Sequence, residues 1–239
     1  MDILKQLRSL PEPIKRILRP LGSLFISKYS AELSFWRSKF KIRGGVFSNE
    51  HYEKLMLAMA QELDDQFLQG KVVADFGCGP RGSLVWATSA SLRIGIDVLA
   101  DQYADEFSEN ILSHGMIYLK STEKVIPLPS GFEDVLFTLN AIDHVDEFPV
   151  MCSEIIRIIK HGGVFIGSFN LEEPKTAAEP QRLNEEIIFV HLLKYLDVQT
   201  YRVTNRGPKE NPYEPFYTGE LGYDQGNIGF LWVKAVKRR

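Results

Sequence analysis

The 239-residue chain has the length and composition of one globular domain, with 44% hydrophobic and 25% charged residues. A net charge of -3 argues against a general nucleic-acid-binding protein. The two cysteines, Cys78 and Cys152, are too few for a disulfide scaffold and too far apart for a metal-ligand pair, so we expect no metal. No run approaches about 18 apolar residues, and we therefore expect a soluble, cytoplasmic protein.

The beginning of the chain is more basic than the rest. Residues 1–43 contain ten basic and three acidic residues, interspersed with apolar ones. This composition fits a helix that either caps the main domain or makes weak contact with a membrane surface through residues 1–30. Three further side chains suggest a lid that packs on the domain: Glu32, Phe35 and Trp36. We therefore predict a basic helical extension or lid over residues 1–47 and a main domain over residues 48–239.

Beyond this extension, apolar runs of strand length alternate with longer stretches at helical spacing. The predicted helices are residues 48–67, 99–110, 148–160 and 183–196. The predicted strands are residues 72–76, 92–97, 116–119, 135–139, 164–169, 198–203 and 228–236. A stretch rich in glycine and proline, residues 205–227, predicts a long loop before the last strand. The alternation predicts an α/β fold with a mostly parallel sheet and helices on both faces.

A glycine-rich turn follows the first predicted strand, and we expect the chain to enter a helix there. Gly77, Gly79 and Gly82 match the pattern G-x-G-x-x-G, and Asp97 lies at the end of the next strand. The glycines allow unusual backbone angles and close approach of a ligand, and the acid is placed to bind ribose hydroxyls. A structural turn at the start of a helix is the alternative. Because Pro80 lacks an amide hydrogen and Asp75 is negative, the turn suits a cationic nucleoside better than a pyrophosphate.

At these residues the chain resembles the class I S-adenosylmethionine-dependent methyltransferases. Five segments follow the order of that family: VVADFGCGP (72–80), RIGID (93–97), IPLP with GFEDV (126–135), LNAIDHV (139–145) and RIIKHGG (157–163). Two residues depart from it, Arg81 where many members have glycine and Glu133 where a small polar or aromatic residue is commoner. The resemblance implies S-adenosylmethionine as cofactor. It also implies a Rossmann-like, seven-stranded, mainly parallel sheet with an antiparallel last strand.

The resemblance also assigns roles to particular residues. It places the methionine end of the cofactor on the glycine turn: Asp75, Phe76, Gly77, Cys78, Gly79 and Pro80. It places the ribose on Asp97 and the adenine beside Val98 and Leu99, with its amine facing Ser121, Thr122 and Glu123. Asn140 and Ala141 would then border the sulfonium.

Two adjacent residues after the fourth predicted strand are the candidates for catalysis. His144 lies where the methyl group should project, and an imidazole can accept a hydroxyl proton near neutral pH. Its alternative role is to orient Asp143 or cap the next helix. Asp143 in turn could pair with His144 or bind a substrate amine. The polar loop 170–182 could border the substrate or be only a solvated acidic loop. The aromatic residues of the late loop, Tyr213 among them, could form the wall of the substrate pocket or only pack the loop onto the sheet.

We therefore expect methyl transfer to a small or medium-sized acceptor, such as O-methylation of a sugar, glycolipid or other metabolite. A methyltransferase-like module that binds a nucleoside without transfer is one alternative. A nicotinamide-dependent oxidoreductase is another, although the sequence shows no catalytic Tyr/Lys set for it. The partners expected are a small-molecule acceptor and no nucleic acid. The sequence predicts neither the acceptor atom nor the oligomeric state.

Overall fold

The computed structural model describes residues 28–176, 178–220 and 222–239. The helices are α1 (Lys28–Ile42), α2 (Glu50–Ala60), α3 (Ala100–Glu106), α4 (Ser108–Ser113), α5 (Phe148–Ile158), α6 (Glu185–His191) and α7 (Glu214–Thr218). The strands are β1 (Val72–Phe76), β2 (Leu92–Asp97), β3 (Ile117–Lys120), β4 (Glu133–Leu139), β5 (Ile159–Leu171), β6 (Leu196–Asn205) and β7 (Gly229–Lys237). Short 3-10 helices lie at Asp65–Leu68, Ile142–His144 and Leu193–Tyr195.

All seven strands form one sheet in the order β3-β2-β1-β4-β5-β7-β6. The pairs from β3 to β5 are parallel, whereas β7 runs antiparallel to both β5 and β6. This confirms the predicted mainly parallel sheet with an antiparallel last strand. The strand order reverses between β1 and β4, and open α/β sheets bind ligands beyond the carboxyl ends of the strands at such a point.

Hydrophobic clusters cover both faces of the sheet, because successive side chains of a strand point to opposite faces. Ala74 of β1 packs in the cluster that holds Ile155 of α5, and Val73 packs in the cluster that holds Met56 of α2. All four side chains are fully buried. Burying a side chain as large as Ile155 contributes about 1.5–3 kcal/mol. The predicted helices on both faces are thereby confirmed.

The glycine turn does not lead into a helix, contrary to the prediction. Residues 77–91 form a series of turns between β1 and β2. Gly77, Gly79 and Gly82 all have positive φ angles, which a helix cannot accommodate. Further along, the amide and hydroxyl of Ser89 bond to Asp65, and hydrogen bonds of this kind compete with helix formation.

All four predicted helices are shorter or divided. The helix expected over residues 148–160 ends at Ile158, directly before β5 begins. The helix expected over residues 48–67 ends at Ala60, because Gln61 takes a left-handed conformation with φ 57° and caps it. The helix expected over residues 99–110 is divided at Phe107, whose φ of -126° is not helical. The helix expected over residues 183–196 is replaced by α6 and a following 3-10 turn.

The end of the basic extension that the structure describes is helical. Leu33, Trp36 and Phe40 of α1 pack on a small cluster around Phe47 and Tyr103. The predictions for residues 1–27, including membrane contact, lie outside the described residues. Among the helices that the structure does describe, none is both long and apolar enough to cross a membrane.

Candidate functional site

A cavity of about 580 Å³ opens at the carboxyl ends of β1, β2 and β4. Twelve of the predicted site residues line it: Phe76, Gly77, Cys78, Asp97, Val98, Leu99, Ser121, Thr122, Glu123, Asn140, Ala141 and His144. The other four predicted residues do not line the cavity and are buried: Asp75, Gly79, Pro80 and Asp143. The volume is typical of small-molecule sites, which measure about 300–1,000 Å³.

Gly77 forms the floor of the cavity at a position where no other residue fits. Its φ is +75°, and a Cβ built on it would lie 2.1 Å from the Cβ of Ala141. Its amide donates a hydrogen bond to the Ile96 carbonyl over 2.8 Å. The glycine therefore lets the turn after β1 pass directly beside the segment after β4.

Asp97, at the end of β2, is held by the backbone on both sides. One carboxylate oxygen accepts the Gly79 amide at 3.0 Å and the other accepts the Leu99 amide at 2.9 Å. Burial raises the pKa of Asp97 to about 6, although these two amide bonds act against it. A carboxylate has about four lone-pair sites. Two therefore remain for further donors, such as the hydroxyls of a ribose.

Asp75 lies beneath the glycine turn with one oxygen unsatisfied. The side chain is 2% exposed, the Ser83 hydroxyl donates to Oδ2, and Oδ1 has no hydrogen-bond partner. Burial, together with the charge of Asp97, raises the pKa of Asp75 to about 7, and the bond from Ser83 opposes this. A buried carboxylate with a free oxygen favours a cationic neighbour.

Glu123 is already occupied by α1, which lies across the cavity. One oxygen of Glu123 accepts the Tyr29 hydroxyl and pairs with Lys28 Nζ at 2.6 Å, and the other accepts the Asp146 amide at 2.9 Å. Burial alone would raise the pKa of Glu123, but these hydrogen bonds outweigh it and hold the pKa below its usual value. Its carboxylate therefore serves to anchor α1. The role that the resemblance assigns to Glu123, facing the adenine amine, stays a prediction.

The described part of the extension forms one wall of the cavity. Its lining residues are Lys28, Tyr29, Ala31, Glu32, Phe35 and Trp36. The Trp36 ring lies so close to the glycine turn that a Cβ on Gly79 would be 2.9 Å from it. The aromatic residues in this stretch were the sequence signal for a lid. The sequence did not show which of their side chains face the cavity.

His144 lies in the cavity between two carboxylates from different segments. Its Nδ1 is 3.7 Å from Glu32 Oε2 on α1, and its Nε2 is 3.8 Å from Glu179 Oε1 on the polar loop. Lys28 Nζ donates to the His144 backbone carbonyl at 2.9 Å, which ties α1 to this residue. The imidazole therefore faces the cavity with a carboxylate near each ring nitrogen, at distances longer than a hydrogen bond.

Asp143 is buried behind His144. Its Oδ2 accepts the Asn170 amide at 2.7 Å, and its Oδ1 has no partner. Burial raises the pKa of Asp143 to about 6, against the influence of His144 and of the bond from Asn170. One ligand atom each of Asp143, His144 and Glu179 lie within 4.8 Å of one another, a spacing at which these three side chains could hold a cation.

Asn140 connects the end of β4 to the late loop. It has a left-handed backbone, with φ 47°, which is uncommon outside glycine. Its Nδ2 donates to the Tyr213 hydroxyl at 2.9 Å, while its Oδ1 is buried without a partner. Tyr213 lines the cavity and packs edge-on against Phe230 and Trp232. The late loop therefore both covers the sheet and forms part of the pocket.

Arg81, the residue that departs from the family pattern, points away from the cavity. Its guanidinium donates to the Ser48 carbonyl and lies over the Tyr52 ring. It is not among the residues that line the cavity. The departure therefore does not crowd the candidate cofactor site.

Comparison with known proteins supports this interpretation of the site. Residues 74–167 match the methyltransferase domain family, and these residues include the glycine turn and His144. An uncharacterised protein of Haemophilus influenzae is 28% identical over 166 residues, which cover 65% of this chain and 62% of the relative's length. The chain therefore spans less than two thirds of that relative.

Solved structures share the fold at low sequence identity. An S-adenosylmethionine-dependent methyltransferase of Mesorhizobium loti has a TM-score of 0.55 and 15% identity, with 75% of this chain and 96% of that chain covered. Geranyl diphosphate C-methyltransferase of Streptomyces coelicolor, in complex with S-adenosyl-L-homocysteine, has a TM-score of 0.54 and 16% identity. In that comparison 74% of this chain and 77% of the other are covered. These likenesses establish the fold.

Proposed function

We propose that the chain, whose residues 74–167 match the methyltransferase domain family, is an S-adenosylmethionine-dependent methyltransferase that transfers a methyl group to a hydroxyl of a small or medium-sized acceptor. The observation that supports this is the position of His144. It lines the same cavity as the predicted cofactor residues and lies between two carboxylates. A base at that position is needed for a hydroxyl acceptor, because its proton must leave as the new bond forms.

Two carboxylates suit the polar parts of the cofactor: Asp97, which lines the cavity, and Asp75, which is buried beneath the glycine turn. The free lone pairs of Asp97 suit the ribose hydroxyls. The unpartnered oxygen of Asp75 suits the amino group of the methionine part. Gly77 is exposed and lines the cavity, so its backbone is accessible to a ligand. When bound, S-adenosylmethionine supplies an activated methyl group, and the protein contributes alignment and removal of the acceptor's proton.

In this proposal His144 accepts the acceptor's proton, and the charges of the flanking carboxylates stabilise the imidazolium that forms. Glu32 Oε2 and Glu179 Oε1 lie 3.7 and 3.8 Å from opposite ring nitrogens, distances longer than a hydrogen bond. A positioned base of this kind contributes about 10²–10⁴-fold to the rate. Asp143, buried behind His144, adds to this stabilisation through its charge.

The charges around His144 favour a sugar-like acceptor over an anionic one. Glu32 and Glu179 form no ion pair with lysine or arginine among the described residues, whereas Lys28 is engaged by Glu123. Asn140 adds a free acceptor oxygen. A ligand that brings several hydroxyl donors satisfies these groups, and a phosphate would be repelled by them. The glycolipid version of the proposal depends on residues 1–30, most of which lie outside the described residues.

The experiment is a transfer assay on the full chain with S-adenosylmethionine and a panel of neutral, amino and phosphorylated sugars. Mass spectrometry would measure the methylated product and the demethylated cofactor. His144→Ala should lower turnover by about 10²–10⁴-fold and leave cofactor affinity unchanged in calorimetry. The Lys28 anchor should survive, because it uses the His144 backbone.

A matched control is His161→Ala, since this exposed histidine contacts the Arg238 carbonyl and does not line the cavity. It should keep full turnover. Near-normal turnover of His144→Ala would show that His144 is not the general base. Cofactor binding without product across a wide acceptor panel would instead favour the nucleoside-binding module.

A further inference from the structure

The edge of the sheet formed by β6 carries exposed apolar side chains. Phe189 of α6 is 55% exposed, and Val198 and Tyr201 of β6 are 40% and 44% exposed. All three line one shallow groove, which we call the β6 groove, together with Leu193. Clustered exposed apolar residues on a soluble domain mark an interaction surface more often than isolated ones do.

The backbone of β6 is also open to a partner. β6 is the last strand in the sheet order and pairs only with β7 among the described strands. Its ten residues make it a long edge strand. Proteins usually shorten, charge or cover such edges, because an unpaired strand edge can add another strand. An apolar groove beside a long free edge therefore points to a strand of another chain as the partner.

The pattern of β6 favours a second copy of the same strand. A β-bulge lies between Val198 and Thr200. Val198 and Tyr201 pair with Ala235 and Val233 of β7, two residues apart, so both point to the face that carries the β6 groove. Without the bulge, residues three apart would point to opposite faces.

The charges of β6 are complementary in the same arrangement. Asp197 and Arg202 pair with Val236 and Trp232, which places both on the opposite face from the groove. In two antiparallel copies related by a twofold axis, the register that sets Asp197 against Arg202 of the other copy also sets Val198 against Tyr201. Arg202 forms no ion pair within the described residues, and Asp197 pairs only with Arg238, at an exposed position.

We propose that the chain forms a twofold-symmetric dimer by pairing β6 with β6 of a second copy, in the register that joins Asp197 to Arg202. Each pair of opposite charges then occurs twice, and so does each contact between Val198 and Tyr201. The two sheets become continuous across the axis. The cavity at the carboxyl ends of β1, β2 and β4 is built from other strands, so the dimer does not depend on the proposed methyl transfer.

The test is the molar mass of the full chain in solution, measured by light scattering and sedimentation over a range of protein concentrations. The expected mass is twice that of the 27.3 kDa chain. Arg202→Asp sets two carboxylates against each other at both ends of the interface, and should weaken dimerisation by about tenfold or more. Adding Asp197→Arg to that variant restores opposite charges and should restore the dimer.

The matched control is Lys209→Asp, which makes the same change of charge at an exposed residue of the late loop. It should leave the dimer intact. A monomer at every concentration would overturn the proposal. A dimer that Arg202→Asp does not weaken, or that the double variant does not restore, would place the contact elsewhere and also overturn it. Circular dichroism of each variant would verify that the fold is retained.

Discussion

Replacing Asp97 by asparagine tests the cofactor site without needing the acceptor. The substitution keeps the shape of the side chain and removes its charge. In the protein, each oxygen of Asp97 accepts one backbone amide, from Gly79 and from Leu99. Asparagine has one oxygen, which can keep one of these bonds, and its amino group cannot accept the other. Both the glycine turn and the free lone pairs for a ribose are therefore affected.

The expected loss follows from the number of bonds. A hydrogen bond to a charged group contributes about 1.5–3 kcal/mol, and about 1.4 kcal/mol corresponds to a factor of ten. Loss of one such bond to the ribose should therefore raise the dissociation constant of S-adenosylmethionine by about 10- to 150-fold. The pKa of Asp97 is about 6, so wild-type affinity should fall as the pH drops through that value. The Asn variant should lack this step and keep only the one from Asp75, shifted to lower pH because the charge of Asp97 no longer raises the pKa of Asp75.

Calorimetry with S-adenosylmethionine and with its demethylated product measures these constants directly. Asp101→Asn is the matched control, since this exposed aspartate lies four residues further on and pairs with Lys120 on the surface. It should change the affinity less than twofold, which is within the usual effect of a surface charge. An unchanged dissociation constant for Asp97→Asn would refute the ribose assignment. If thermal unfolding shows that Asp97→Asn also loses its fold, the fall in affinity would instead result from disruption of the glycine turn.

Two further predictions concern packing and buried charge. Gly77→Ala should lower both the melting temperature and the cofactor affinity, because the new Cβ would overlap Ala141 and the backbone has a positive φ. Adding Ala141→Gly should recover part of both. An unchanged melting temperature and affinity in the single variant would refute the close approach. Glu133 is fully buried without hydrogen bonds, and burial with the charge of Asp134 raises its pKa to about 7 from 4.5. The folded state therefore binds the proton more tightly, so the Glu133 contribution to the free energy of unfolding should fall by about 2–3 kcal/mol between pH 5 and 8. In urea titrations Glu133→Gln should remove that part of the fall and leave the parts due to Asp75, Asp97 and Asp143, whose pKa values are also raised. An equal fall in both proteins would contradict the prediction.

The fold could be predicted from the sequence because its signals are local. The strands that form the centre of the sheet are apolar runs of strand length. β1 and β2 have the bounds that were predicted for them, residues 72–76 and 92–97. The turn 77–91 could not be predicted as well. Its conformation depends on Asp65, which is close in space and distant in sequence. It also depends on the three glycines of the motif, Gly77, Gly79 and Gly82, whose φ angles exclude a helix.

The clustering of the predicted cofactor residues could be foreseen for a different reason. Their side chains follow strand ends directly, so the motif spacing brings Gly77, Asp97 and Asn140 to one edge of the sheet. The contributions of α1 were not predictable to the same degree. Trp36 contacts Gly79, and Lys28 contacts Glu123. The local sequence around Trp36 and Lys28 does not indicate partners so far along the chain.

The groups around His144 come from segments that the family pattern does not include. Glu32 belongs to α1, Glu179 to the polar loop after β5, and Tyr213 to the late loop, and all three lie outside the matched residues 74–167. His144 lies within them. The matched segment therefore includes the predicted cofactor residues and the candidate base, whereas the surrounding segments would supply the charge and shape that the proposed acceptor meets. Exchanging Glu179 should consequently change which acceptor is used while the affinity for the cofactor stays the same, since its side chain lies beside His144. Exchanging Tyr213 should affect both, because Tyr213 accepts a hydrogen bond from Asn140, a predicted cofactor residue.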